Sequence, residues 1–87
     1  MRIAICDDEK IFLDSLEEKI YGILSKLDCE VIPFFSAEAL LSSSMDYDLI
    51  FLDIEMGELD GMGAAKKIRE TDFETPIVFL TSHIEMA

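Results

Sequence analysis

Histidine is nearly absent from this chain, with one among 87 residues, alongside two cysteines, two prolines and four glycines. Cys6 and Cys29 stand far apart and form no CxxC or Cys/His spacing. Cys6 falls within an apolar run, where a buried free thiol is expected in preference to a metal ligand or a disulfide. The few glycines form no phosphate cradle, and no P-loop, GxSxG or dinucleotide fingerprint occurs. No apolar run approaches membrane-spanning length, and the opening MRIAICDDEK does not follow the secretory-signal pattern. The expectation is a soluble, cytoplasmic chain with no membrane partner. Basic residues are scarce too: seven lysines and arginines against nineteen carboxylates leave a net charge of −12. That balance argues against direct nucleic-acid binding by this segment, since phosphates would be repelled.

What is present is half hydrophobic, 51% of residues, in a length that suits one domain with a modest core. Surplus acid keeps a small domain soluble and accounts for most of the carboxylates. It does not account for several of them falling at the ends of apolar runs. The most informative stretch is YDLIFLD, Tyr47 to Asp53, followed by IEMGELDG. Leu49 to Leu52 is continuously apolar, as in a strand buried on both faces of a parallel sheet, and it stops at Asp53. A lone aspartate there could be a turn residue or a helix cap. A second acidic cluster, Asp7-Asp8-Glu9, closes another apolar run, RIAIC, near the start of the chain.

From the start, Arg2 to Cys6 reads as a strand. Leu13, Leu16, Ile20, Ile23, Leu24 and Leu27 recur at helical spacing, which predicts one apolar face on a helix from about Lys10 to Leu27. Asp8 or Glu9 would sit at its N-terminus, favourably to the helix dipole. EVIPFF, Glu30 to Phe35, reads as a strand that Pro33 places at a sheet edge. Ser36 is a good N-cap for a short helix from Ala37 to about Leu41, and the serines 42–44 read as plain loop. The strand Asp48 to Asp53 follows, then a helix from about Met62 to Glu70. In that helix Ala64, Ala65 and Ile68 would pack inward, and Lys66, Lys67 and Arg69 would form a solvated face. Thr75-Pro76 introduces a last strand, Ile77 to Thr81. No repeat or linker interrupts the alternation.

Strands and helices alternating in this way predict an α/β fold: a doubly wound parallel sheet with helices on both faces. With the second strand at the edge, the first and third are neighbours at the switch point, where ligands bind beyond the strands' carboxyl ends. Asp7, Asp8 and Asp53 then share one crevice, with Thr81 one strand over. Three carboxylates so close repel one another, and a hard dication relieves this; Mg²⁺ suits a site of carboxylates, carbonyls and waters. Bound Mg²⁺ would attract a phosphoryl group, and Asp53 could accept it as an aspartyl-phosphate, with the Thr81 hydroxyl placed to hydrogen-bond a phosphate oxygen.

Asp7-Asp8, FLDIEMGELDG around Asp53, and PIVFLTS with Thr81 together resemble the receiver domain of two-component response regulators, a flavodoxin-like fold. The third-strand loop and FLTSHIEMA are most similar to receivers joined to LytTR-type DNA-binding domains. The resemblance implies that Asp53 is the phosphoacceptor for a sensor histidine kinase. It also implies that Asp8 holds Mg²⁺ directly and Asp7 through water, with Asp53 itself a metal ligand and the Glu55 backbone carbonyl completing the protein ligands. Thr81 would be the switch hydroxyl, and Glu55 and His83 would occupy two positions that tune phosphoryl lifetime; His83 reads equally well as an exposed polar residue starting the next helix. Asp60-Gly61 matches the family's loop, with Gly61 permitting a tight turn, and Gly57 stands where the family commonly has proline. The domain would be non-enzymatic apart from its own phosphorylation and autodephosphorylation.

Receivers continue beyond a fourth strand through a fourth helix, a fifth strand and a fifth helix. Residues 1–87 would therefore be a partial receiver, without those elements, the phosphoryl-contacting lysine, or an output domain that would reach DNA. Ile77 to Thr81 would present an apolar edge open to self-association. An alternative reading is a Mg²⁺-binding or oligomerisation module incompetent for phosphorylation. A hydrolase of the haloacid-dehalogenase type fits poorly, because Glu55 stands where that family wants a second aspartate.

Overall fold

A computed structural model describes residues 1–57 and 59–81. The elements run β1 (Arg2–Cys6), α1 (Lys10–Ile23), β2 (Glu30–Phe34), α2 (Ala37–Ser42), β3 (Leu49–Asp53), α3 (Gly61–Arg69) and β4 (Ile77–Leu80). The four strands form one sheet in the order β2-β1-β3-β4, every pair parallel. This is the alternation and the order that the sequence predicts, with each element's ends within a few residues.

Period-two alternation in β1 divides the core between the two faces. Ile3 and Ile5 join Leu13, Ile20 and Val31 under α1. Ala4 and Cys6 join Ala37, Leu40, Ile50, Leu52, Met56 and Ala64 under α2 and α3. With both faces covered, β1 has no polar side and reads as a continuous apolar run. The register Ile5↔Phe51 and Cys6↔Leu52 brings Asp7 and Asp53, the next residues along, to the same end of neighbouring strands.

Helix α1 stops at Ile23, four residues before the predicted Leu27. The Leu24 amide bonds back to the Ile20 carbonyl, and a separate turn bonds Leu27 to Leu24. Ile23 lies roughly 80° round the helix from Leu13, beyond the reach of the sheet, and is 81% exposed; Leu27 is 54% exposed. Both therefore leave the predicted apolar stripe. The α1 N-cap position is Glu9, whose side chain makes no cap bond. The Ser36 Oγ cap on α2 forms as predicted, accepting from the Ala39 amide at 3.1 Å. The serine run is more than loop: Ser42 ends α2, and Ser43 Oγ hydrogen-bonds the Tyr47 hydroxyl at 2.6 Å.

The two edges of the sheet differ. On β2, the outward amide of Val31 donates to the Tyr21 hydroxyl of α1 at 3.0 Å, and Pro33 has no amide to offer. That edge is blunted against strand addition. On β4, Val78 and Phe79 are 41% and 39% exposed, and no strand among the described residues pairs with the outer side. None of the described helices is long and apolar enough to cross a membrane.

Candidate functional site

Asp7 directly follows β1 and Asp53 ends β3; both are fully buried, whereas Asp8 opens to solvent. One carboxylate oxygen from each of the three lies within 4.8 Å of the others. The two buried carboxylates are oriented by the same local device. Asp7 Oδ1 accepts from the Glu9 amide at 2.9 Å, and Asp53 Oδ1 accepts from the Glu55 amide at 3.2 Å. Each is an aspartate bonding the backbone two residues on, which turns the chain out of the strand and holds the side chain at its mouth. The signal was present in the sequence as Asp-x-Glu at both places, but it reads there only as two acidic clusters. It also answers the capping question: Asp7, rather than Asp8 or Glu9, bonds the backbone at the entry to α1.

Asp8 Oδ2 lies 3.5 Å from the Gly57 amide, at the long limit for a hydrogen bond, and so meets the loop after β3. Glu55 is exposed, with its backbone amide tied to Asp53. Thr81 directly follows β4 and is exposed. Because Leu80 pairs with Asp53 and its carbonyl accepts from the Ile54 amide at 3.1 Å, the Thr81 backbone stands beside the end of β3, as the strand order predicts. His83 lies outside the described residues.

Asp60 has a role that the sequence reading did not assign. It is the N-cap of α3, its Oδ1 accepting from the Gly63 amide at 2.8 Å. For Gly61 the expected reason needs correcting. No glycine has a positive φ, so the turn makes no demand for left-handed backbone. Gly61 is needed because its buried backbone lies against β3: its amide donates to the Ile54 carbonyl at 3.0 Å, and a Cβ would collide with the Asp53 carbonyl group. A Cβ on Gly57 would meet nothing.

Cys6 carries the imprint of this cluster. Burial first, then the charges of Asp7 and Asp53, push its thiol from 9.0 up to about 12. A raised pKa leaves less thiolate at any given pH, on the order of one part in ten thousand at pH 8. A thiol so raised is a poor nucleophile near neutral pH, and no disulfide joins Cys6 to Cys29. Alkylation of the native chain at pH 8, read by intact mass, should modify Cys29 alone; denaturation should expose a second site.

Three hard oxygen donors, two held by turn hydrogen bonds and one facing solvent, fit a small divalent cation that retains waters. The donors are all oxygens, which suits a hard rather than a soft metal, and the adjacent Cys6 sulfur faces the Ser36 carbonyl and Met56 in the core.

A family model described as the response regulator receiver domain matches residues 3–87. The transcriptional regulatory protein DltR of Streptococcus agalactiae is 34% identical over 84 residues; the match covers 94% of this chain and 36% of DltR. The chain thus spans about a third of the length of that curated relative. The crystal structure of the Thermotoga maritima response regulator TrrA in complex with Mg²⁺-BeF superposes with a TM-score of 0.74 at 31% identity, covering 94% of this chain and 70% of that one. The complex of histidine kinase ThkA with TrrA gives a TM-score of 0.79 at 31% identity, covering 97% of this chain and 71% of the matched one.

Proposed function

We propose, on the premise that this chain belongs to the response regulator receiver domain family, that Asp53 is its phosphoacceptor and that Asp7 and Asp8 hold Mg²⁺ beside it. One observation carries the reading: oxygens of Asp7, Asp8 and Asp53 converge within 4.8 Å at the carboxyl ends of two adjacent parallel strands. Asp8, which faces solvent, is the direct ligand in this reading and Asp7 the water-mediated one, with an Asp53 oxygen and the Glu55 carbonyl as the further protein donors. The ion, when bound, supplies positive charge that lets a phosphoryl group approach an anionic pocket.

The step itself is a displacement. An Asp53 carboxylate oxygen forms a bond to phosphorus as the bond from phosphorus to the donor's leaving atom breaks, giving an aspartyl-phosphate. The donor is the phosphohistidine of a sensor kinase, in keeping with the kinase complex formed by TrrA. The Glu55 amide holds the Asp53 carboxylate at the strand mouth throughout. The Thr81 hydroxyl, one strand over, is the switch group that engages the phosphoryl oxygen. Glu55 and His83 are assigned to tuning phosphoryl lifetime. We assign the output to transcription, through a DNA-binding segment outside residues 1–87, and the setting to the cytoplasm. Residues 1–87 then supply the first four strands of the receiver, and the chain catalyses nothing beyond its own phosphorylation and dephosphorylation.

Intact mass after incubation with acetyl phosphate tests this directly. One phosphoryl group should be added with Mg²⁺ and none in EDTA, with the modified peptide containing Asp53. Addition elsewhere, or equal addition in EDTA, would reject the assignment. No addition at all would favour the binding-module alternative.

The open edge of β4 supports a second, smaller proposal: chains pair there with one another. Tyr21 and Pro33 close the β2 edge, so a pairing strand is directed to β4. Sedimentation of the 87-residue chain should show a dimer growing with concentration. A monomer at every concentration tested would rule the pairing out.

A further inference from the structure

The loop after β3 meets the acidic cluster where the Gly57 amide faces Asp8, and among residues 54–57, 59 and 60 only Met56 is buried, at 5% exposure. Its side chain enters the cluster formed by Cys6, Ala37, Leu40, Leu52 and Ala64. Met56 Sδ lies 3.6 Å from Cys6 Sγ, and that thiol is also 3.4 Å from the Ser36 carbonyl. Cys6 immediately precedes Asp7, and Met56 immediately follows Glu55. One sulfur–sulfur contact thus joins the backbone that carries a buried carboxylate to the backbone of the loop above it.

The other restraints on the middle of the loop are weak by comparison. The Gly57 amide reaches Asp8 only at 3.5 Å, and Glu55 is exposed. The firm hydrogen bonds sit at the two ends: the Ile54 amide on Leu80, the Glu55 amide on Asp53, and the Gly61 amide on Ile54. Between them Met56 is the buried apolar side chain among the described residues, with Leu59 partly buried against the same cluster nearer α3, and Met56 sets how closely the middle of the loop sits by its shape and volume.

We infer that Met56 is a positioning residue for divalent-cation binding: seated against Cys6, it holds the loop after β3 down over Asp7, Asp8 and Asp53. The inference rests on reading that cluster as the cation site. The role is one of packing, so a side chain of similar volume should perform it and a small one should not. It is distinguished from a general contribution to the core by comparison with Leu40, which occupies the same cluster but is carried by α2 rather than by the loop.

The test uses the 87-residue chain, magnesium chloride as the probe, and four variants. Calorimetric titration should show Met56→Ala weakening Mg²⁺ about tenfold, the scale expected for a group that orients ligands from outside the ligand set. Met56→Leu should stay within about twofold of the parent. Leu40→Ala, which opens a comparable cavity in the same cluster, should also stay within about twofold. Met56→Val, a milder truncation, takes the place of Met56→Ala if that variant does not fold. A second readout needs no metal: in EDTA, amide hydrogen exchange across residues 54–57 should rise about tenfold in Met56→Ala and remain unchanged in Leu40→Ala. Equal weakening by Leu40→Ala, or no change in Met56→Ala, would overturn the inference. Failure of the parent chain to bind Mg²⁺ would instead overturn the cation-site reading, with the exchange data still deciding whether Met56 anchors the loop.

Discussion

Asp53→Asn should abolish phosphoryl incorporation from acetyl phosphate while leaving the fold intact. Asparagine keeps the size of the side chain and retains an oxygen to accept from the Glu55 amide, so the turn after β3 survives. What disappears is the anionic oxygen that bonds phosphorus. The same change removes one of two buried carboxylates in a cluster of three. Like charges at such separation destabilise the metal-free state, so the variant should be more stable than the parent in EDTA, by on the order of 1–3 kcal/mol. Saturating Mg²⁺ should narrow that gap, because a ligand at about 100 times its Kd stabilises the parent by about 2.7 kcal/mol and binds a two-carboxylate site more weakly. Urea unfolding with and without Mg²⁺, beside the mass assay, reads both effects. Loss of phosphorylation together with loss of stability would mean that Asp53 holds the fold, and that its chemistry is unproven.

Gly61→Ala should be the most destructive small substitution in the chain. Its Cβ would occupy the place of the Asp53 carbonyl group, with the carbonyl carbon 2.8 Å away and the Ile54 Cα at 3.0 Å. These are backbone atoms at the end of β3 and just after it, and β3 is paired on both sides by β1 and β4, so they cannot yield as a side-chain end would. Either α3 lifts from the sheet or β3 distorts at its last residue, and that residue is Asp53. We expect a loss of about 3 kcal/mol or more, with Mg²⁺ binding lost in the same step. Gly57→Ala in the same loop is the control. Its Cβ meets nothing and its φ is not positive, so stability should move by no more than about 0.5 kcal/mol. Chemical denaturation of the two variants in parallel separates close approach from general loop rigidity. Comparable losses in both would mean that glycine is needed in this loop for its flexibility.

The two substitutions act on opposite aspects of the same design. A cation site demands carboxylates brought closer together than they would sit in water, and the fold supplies that closeness through backbone. Asp7 and Asp53 are held by adjacent parallel strands and by turns that bond their own side chains. The loop between Asp53 and α3 is held by Met56 in the core and Gly61 against the strand. Asp72 offers a contrast from an exposed loop. Its carboxyl is held below the usual range by hydrogen bonds from Thr75 and from the Glu74 amide, which outweigh the small cost of desolvation.

By itself, the amino-acid sequence determined the element order, the parallel sheet and the meeting of Asp7, Asp8 and Asp53. These are written in local periodicity and in the rule that parallel strands end at one side of a sheet, so no distance had to be known. The resemblance carried by the same residues named the family, and residues 3–87 match it. Only the tertiary structure decided the rest. Ile23 follows the apolar recurrence but lies off the buried line of Leu13 and Ile20, at the last residue of α1, and is exposed. Tyr21 carries no signal in the sequence, yet its hydroxyl closes the β2 edge. Asp60 reads as loop and caps a helix, and Gly61 reads as a turn glycine yet is required by a neighbouring carbonyl. Met56 reads as one more apolar residue and is the loop's only buried described side chain. Each of these depends on how near two elements come, and that distance is set by the packing of the whole core rather than by any spacing along the chain.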